Sequence, residues 1–138
     1  MVTPSPLTMV PLHVGAERTT IADAQLNLGW STVLRDDSPL GFENGIATVE
    51  DELERAHRGI ARGAALLTSD ATIRDIAFAA GLPRGPEMTL TIEAVEQAFQ
   101  RRVARVPGLP AGLEFAATLL ILRELMHHLE FPLIVIRE

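Results

Sequence analysis

Residues 112–136 read GLEFAATLLILRELMHHLEFPLIVI, and the rest of the chain is organised around them. Leu113, Phe115, Ala116, Ala117, Leu119, Leu120, Ile121, Leu122, Leu125, Met126 and Leu129 surround nearly the whole circumference of a helix over 112–130. A helix apolar on all sides is one buried on several sides. Phe131-Pro132 stops it, and Leu133-Ile134-Val135-Ile136 follows as an unbroken β-branched and leucine run. Such a run suits a strand covered on both faces, as in parallel or mixed sheets. Helix, tight break and buried strand form a unit that needs a sheet to join. The sequence therefore predicts an α/β layered domain.

Composition bounds what that domain does. At 138 residues the chain fits one domain with a real core, expected over 9–138 behind a loose Pro- and Thr-rich tail at 1–8. Cysteine is absent, which excludes disulfides, thiolate catalysis and Cys-type zinc sites. The net charge is −6, from 12 basic and 18 acidic residues, and speaks against nucleic acid as a partner. Residues 1–11 have neither a positive n-region nor a long apolar h-region. Glu114, Arg123, Glu124, His127 and His128 interrupt the final helix, so it is no membrane span. A soluble, cytoplasmic protein is expected.

Upstream, residues 10–14 form a short apolar strand, with Pro11 expected at its beginning because a central strand needs its N–H groups. Gly15-Ala16-Glu17 turns into a second strand over 18–24, Asn27-Leu28-Gly29 gives a hairpin signal, and 30–34 makes a third strand. Asp36-Asp37-Ser38-Pro39 closes this antiparallel meander, with a loop over 41–45. Thr48 and Asp51 resemble a capping box opening a helix whose stripe is Val49, Leu53, Ala56, Ile60 and Leu67. Its outer side carries Arg55, Arg58 and Arg62, with Glu54 as an i,i+4 partner for Arg58. A short strand over 64–67 follows. Ser69 or Asp70 caps a helix over 72–80 that ends at Gly81. Thr91 caps another, striped by Ile92, Val95, Phe99, Val103 and Val106 and broken by Pro107-Gly108-Leu109-Pro110.

Three antiparallel strands followed by helices alternating with strands resemble the ribonuclease-H-like layout of actin-like ATPases. Within that group the chain is similar to the second lobe of the exopolyphosphatase / guanosine pentaphosphate phosphohydrolase family. The family's V-D-I-G-G-G-S-T-E-L hairpin is approached by Leu12-His13-Val14-Gly15-Ala16-Glu17-Arg18-Thr19-Thr20-Ile21, and its S-L-P-L-G by Asp37-Ser38-Pro39-Leu40-Gly41. An E-E-L-E helix is met by Glu50-Asp51-Glu52-Leu53-Glu54, and the second, G-G-T, phosphate loop by Asp70-Ala71-Thr72-Ile73-Arg74. The closing L-T-x-E helix, P-G-L-P turn and apolar helix–strand are matched by residues 90–103, 107–110 and 115–136.

The resemblance implies two phosphate loops whose glycines let backbone amides approach phosphate, with an Asp and a Glu holding a divalent cation and the attacking water. Here only Gly15, Thr19 and Thr72 remain as phosphate-binding candidates. His13 replaces the Asp, Thr20 replaces the Glu, and Glu17 and Asp70 place negative charge inside the two loops. Like charges in contact cost on the order of several kcal/mol once water is excluded. A pseudoenzyme without cofactor is therefore expected. Its implied mode of action is protein association, as a homodimer or with a two-lobed relative, and Arg123, His127 and His128 would lie near the rim of a surface centred on the final helix. The alternative is a phosphohydrolase or nucleotide/polyphosphate binder that completes its cleft across a dimer, with magnesium.

Other constellations are weaker. His127 and His128 are adjacent on a helix and point apart, and the E-x-x-H pair of Glu124 and His127 lacks the second pair a di-metal bundle needs, so no metal site is expected. No G-x-S-x-G surrounds any serine. Residues 72–81 look like the first helix of a helix-turn-helix, but Pro83, Gly85 and Pro86 occupy the place of a recognition helix.

Overall fold

The computed structural model describes residues 9–60 and 63–138. Its elements in order are β1 (Met9–Val14), β2 (Thr19–Ile21), β3 (Ala24–Leu26), α1 (Pro39–Ala56), β4 (Ala65–Thr68), α2 (Ala71–Ala79), β5 (Glu87–Thr91), α3 (Ile92–Val103), α4 (Leu113–His128) and β6 (Leu133–Arg137). A 3-10 turn, His57–Gly59, follows α1. The six strands form one mixed sheet in the order β3-β2-β1-β4-β6-β5. β4 is parallel to both β1 and β6, while the remaining neighbours are antiparallel.

The connections from β1 to β4 and from β4 to β6 step the same way along the sheet. Right-handed crossovers of that kind place their helices on one face. α4 lies at the centre of that face, with α1, α2 and α3 packed around it. Its residues Ala116, Leu119, Leu120, Ile121, Leu122, Leu125 and Met126 are 0% exposed, as an all-round apolar helix requires. They pack with Val10, Leu12, Val14, Leu66, Ile134 and Ile136 into one core. Pro11, Ala65, Leu67 and Val135 alternate onto the opposite face, where Ala65 and Val135 are buried, Leu67 is half-buried and Pro11 is exposed. From Phe115 to Met126 the chain itself buries every residue of α4 except Arg123, so this helix leaves little apolar surface for a partner. Arg123 is half-buried between α4 and α3, while His127 and His128 reach solvent at one end of the helix and Leu113 and Glu114 at the other.

Several local expectations are corrected. The third strand is Ala24–Leu26 rather than 30–34, and the hairpin turns at Ala22-Asp23, with Ala22 at φ 52°. The Asn27-Leu28-Gly29 signal serves a close approach instead. A Cβ on Gly29 would stand 2.3 Å from the Ala16 carbonyl oxygen, so glycine is there to let two backbones touch. Trp30 and Ser31 then donate their amides to Gly15 and Ala16, lying against the first loop as irregular chain.

Pro11 is third in β1, not first. Its carbonyl accepts from Ala22, so its ring nitrogen points the same way, beyond the end of β2 where the ladder needs no donor. α1 starts at Pro39, capped by the Ser38 hydroxyl accepting from the Gly41 amide, and it absorbs the expected loop over 41–45. Thr48 lies inside it, bonding back to the Asn44 carbonyl. Arg55 pairs with Glu52, one turn back on the helix, in place of the expected Glu54–Arg58 pair; Arg62 and the 1–8 tail lie outside the described residues. β5 was hidden in the breaker-rich stretch, where Met88 and Leu90 alternate inward against β6. Arg101 is exposed, whereas its neighbour Arg102 is buried and bonds Asp37 and the Ala111 carbonyl.

Candidate functional site

Because β1 and β4 are parallel neighbours, their carboxyl ends open side by side, the edge at which α/β sheets place ligands. The loop after β1 carries Gly15, Ala16 and Glu17; the loop after β4 carries Ser69 and Asp70 and leads into α2. Asp70 holds the N-cap position of α2, yet its side chain makes no capping bond. It reaches across to the first strand instead. Its Oδ2 accepts from the Val14 amide at 2.7 Å, and its Oδ1 lies 2.6 Å from His13 Nδ1. An ionised carboxylate can only accept, so His13 donates through Nδ1. Asp70 is nearly enclosed while the His13 side chain is 64% exposed.

The other candidates surround this pair in different ways. Thr20 faces His13 directly across the β1–β2 ladder. The Gly15 amide donates to the Arg18 carbonyl at 2.9 Å, closing the first loop on itself. Thr19 points to the core face, is 0% exposed, and donates its hydroxyl to the Leu28 carbonyl at 2.9 Å. Thr72 donates to Glu114 Oε2 at 2.8 Å, tying α2 to the first turn of α4. His13, Gly15, Thr20 and Thr72 thus share one end of the sheet with Asp70, while Thr19 is turned away. The carboxylates of Glu17, Asp70 and Glu114 lie at this end.

Sequence reading identifies Asp70 as an unwelcome charge but not as the bridge between the two loops. Its partners lie 56 and 57 positions away, and no local spacing signals such a bond.

No protein-family model and no curated protein matches this sequence. Solved structures do match. The PPX-GPPA enzyme of Aquifex aeolicus superposes with a TM-score of 0.68 at 14% identity, over 94% of this chain and 53% of that one. An exopolyphosphatase from Cytophaga hutchinsonii ATCC 33406 gives a TM-score of 0.70 at 9% identity, over 94% and 52%. An exopolyphosphatase-like protein gives 0.69 at 14% identity, over the same shares. The chain spans about half the length of these structures. Among the described residues, no helix is long and apolar enough to cross a membrane. The mixed sheet, the central buried helix and this coverage together assign the chain the fold of one actin-like lobe of the Ppx/GppA phosphatases.

Proposed function

We propose that this lobe is non-catalytic and works by binding protein, with a second copy of itself as the partner. The observation that carries the first half is the Asp70 carboxylate on the Val14 amide. A backbone amide that would face phosphate is already satisfied by an anion of the chain itself. An incoming phosphate must displace that bond and then meet the carboxylate's charge. The hydroxyls of Thr19 and Thr72 are likewise committed to internal acceptors. Support for association comes from the sheet face outside the core, where Pro11 is exposed and Leu67 and Leu133 are half-buried. Apolar surface of this kind tends to mark protein contact, and two-fold self-pairing is the commonest closed solution.

Thermal unfolding with ATP, pyrophosphate and short polyphosphate, with and without magnesium, tests the non-catalytic half. A ligand at one hundred times its dissociation constant adds about 2.7 kcal/mol to stability, so binding would be plain in the midpoint. No shift is expected. A shift that disappears in Thr72→Val would establish the alternative reading, a phosphate-binding lobe. Light scattering at micromolar concentration tests the other half: a dimer is expected, dissociated by Leu67→Glu, and a monomer would end the association reading.

A further inference from the structure

The far end of α4 carries a second polar cluster, about 20 Å along the helix from Glu114 at its 1.5 Å rise per residue. The Glu124 carboxylate is buried there, with Oε2 held by Arg123 Nη1 at 2.6 Å. Its other oxygen, Oε1, lies 3.3 Å from His128 Nε2. Glu50 Oε2, reaching over from α1, lies 3.3 Å from the same nitrogen. The sequence pairs Glu124 with His127, but the fold turns His128, four residues on, to Glu124 and brings in a carboxylate 74 positions upstream.

These distances fit a hydrogen-bonded pair poorly. Charge-assisted N–H···O bonds run about 2.7–2.9 Å, and one ring proton cannot point well at two carboxylates. The two separations from His128 Nε2 do fit an ion's ligand shell. Nitrogen and oxygen ligands held about 2.0–2.2 Å from a tetrahedral ion stand about 3.3–3.6 Å from one another. The three ligand atoms all lie within 4.8 Å of each other. Two carboxylates against one arginine leave the cluster negative when His128 is neutral. Asp51 and Glu54 line the adjoining groove of about 470 Å³ with Glu50 and His128, adding charge that attracts a cation. An imidazole ligand selects zinc-class ions over magnesium and calcium.

We propose that Glu50, Glu124 and His128 form a site for a divalent transition-metal ion of the zinc class, with water completing the shell. This site is independent of the phosphate loops and of how the lobe associates. The test is calorimetric titration of Zn²⁺ into the full chain in a non-chelating buffer, with Mg²⁺ as a parallel arm. One Zn²⁺ per chain is expected, and no saturable Mg²⁺ binding. His128→Gln and Glu50→Gln, both at exposed positions that spare the core, should each weaken Zn²⁺ binding at least about tenfold, the low end of what even supporting residues contribute. His127→Gln should bind as the parent does. Co²⁺ provides a readout of coordination itself, a visible band that both ligand variants lose while their metal-free circular dichroism stays that of the parent. Absence of saturable Zn²⁺ binding, or equal affinity in parent and both ligand variants, overturns the site and leaves an ion-pair cluster.

Discussion

Different forces hold the closing unit, α4 with β6, and the connection from β3 to the start of α1. α4 and β6 are fixed chiefly by apolar contact, at Leu119, Leu120, Ile121, Leu122, Leu125 and Met126 and again at Ile134 and Ile136. The stretch over 27–41 buries Leu28, Val33 and Leu34, but directional bonds set its path. Glu52 holds the Asn27 amide at 2.5 Å, Ser31 donates its hydroxyl to Ala16, Asp36 holds Ser38, and Asp37 joins Arg102 and Arg105. Apolar packing is non-directional and spread over many neighbours. A path set by single bonds and close approaches depends on each partner separately. The first kind of region fails by losing volume, and the second by losing one atom's position or charge.

Substitutions should separate the two. Leu120→Ala or Leu125→Ala removes a fully buried side chain from the centre of the helical layer. Chemical denaturation should register a loss of about 2–5 kcal/mol, as for buried leucines elsewhere. Gly29→Ala comes next. Its added methyl would meet the Ala16 backbone 2.3 Å away, and backbone cannot swing aside as a side-chain tip can. A loss of about 1–3 kcal/mol is expected, typical of overpacking. If Gly29→Ala cost more than Leu120→Ala, the connection rather than α4 would be the stability centre, and the contrast would reverse.

The same division explains what could be read in the sequence. The final helix and strand were legible because periodicity is a local property: Leu133-Ile134-Val135-Ile136 needs no knowledge of its neighbours to say that it is buried. The α/β class and the fold resemblance followed from it. The third strand was misplaced because Asn27-Leu28-Gly29 has the composition of a turn, while its glycine answers to Ala16 in another loop. β5 was missed because Pro83, Gly85 and Pro86 mask a strand whose partner, β6, is distant in sequence. At the sites the limit was similar. His13 and Thr20 were identified by their place in a hairpin, but the Asp70 bridge and the approach of Glu50 to His128 exist only once the chain has folded.

The smallest effect is electrostatic, and the chain contains its own reporter for it. Asp37 is held below its ordinary pKa, first by the hydrogen bond from Arg105 and then by that from Arg102, against the opposing cost of desolvation. Asp36 is lowered by the Ser38 hydroxyl and amide. Glu52 is lowered chiefly by Arg55, with desolvation opposing and the Asn27 amide assisting. A carboxylate depressed in the folded state binds fewer protons there than in the unfolded chain. Its contribution is therefore complete above the unfolded-state value, roughly pH 4 for Asp and Glu, and is lost as the pH falls through the lower folded-state value. All three groups anchor the stretch over 27–41, and none belongs to the apolar seam between α4 and β6. The chain's single tryptophan, Trp30, lies within that stretch, packed against the core's edge. On acidification from pH 6, Trp30 fluorescence should change first, as the chain falls below about pH 4, and the far-ultraviolet helical signal should follow at lower pH. Coincident transitions would mean that the connection and the closing unit unfold as one, and that the polar bonds do not set the weaker of two thresholds.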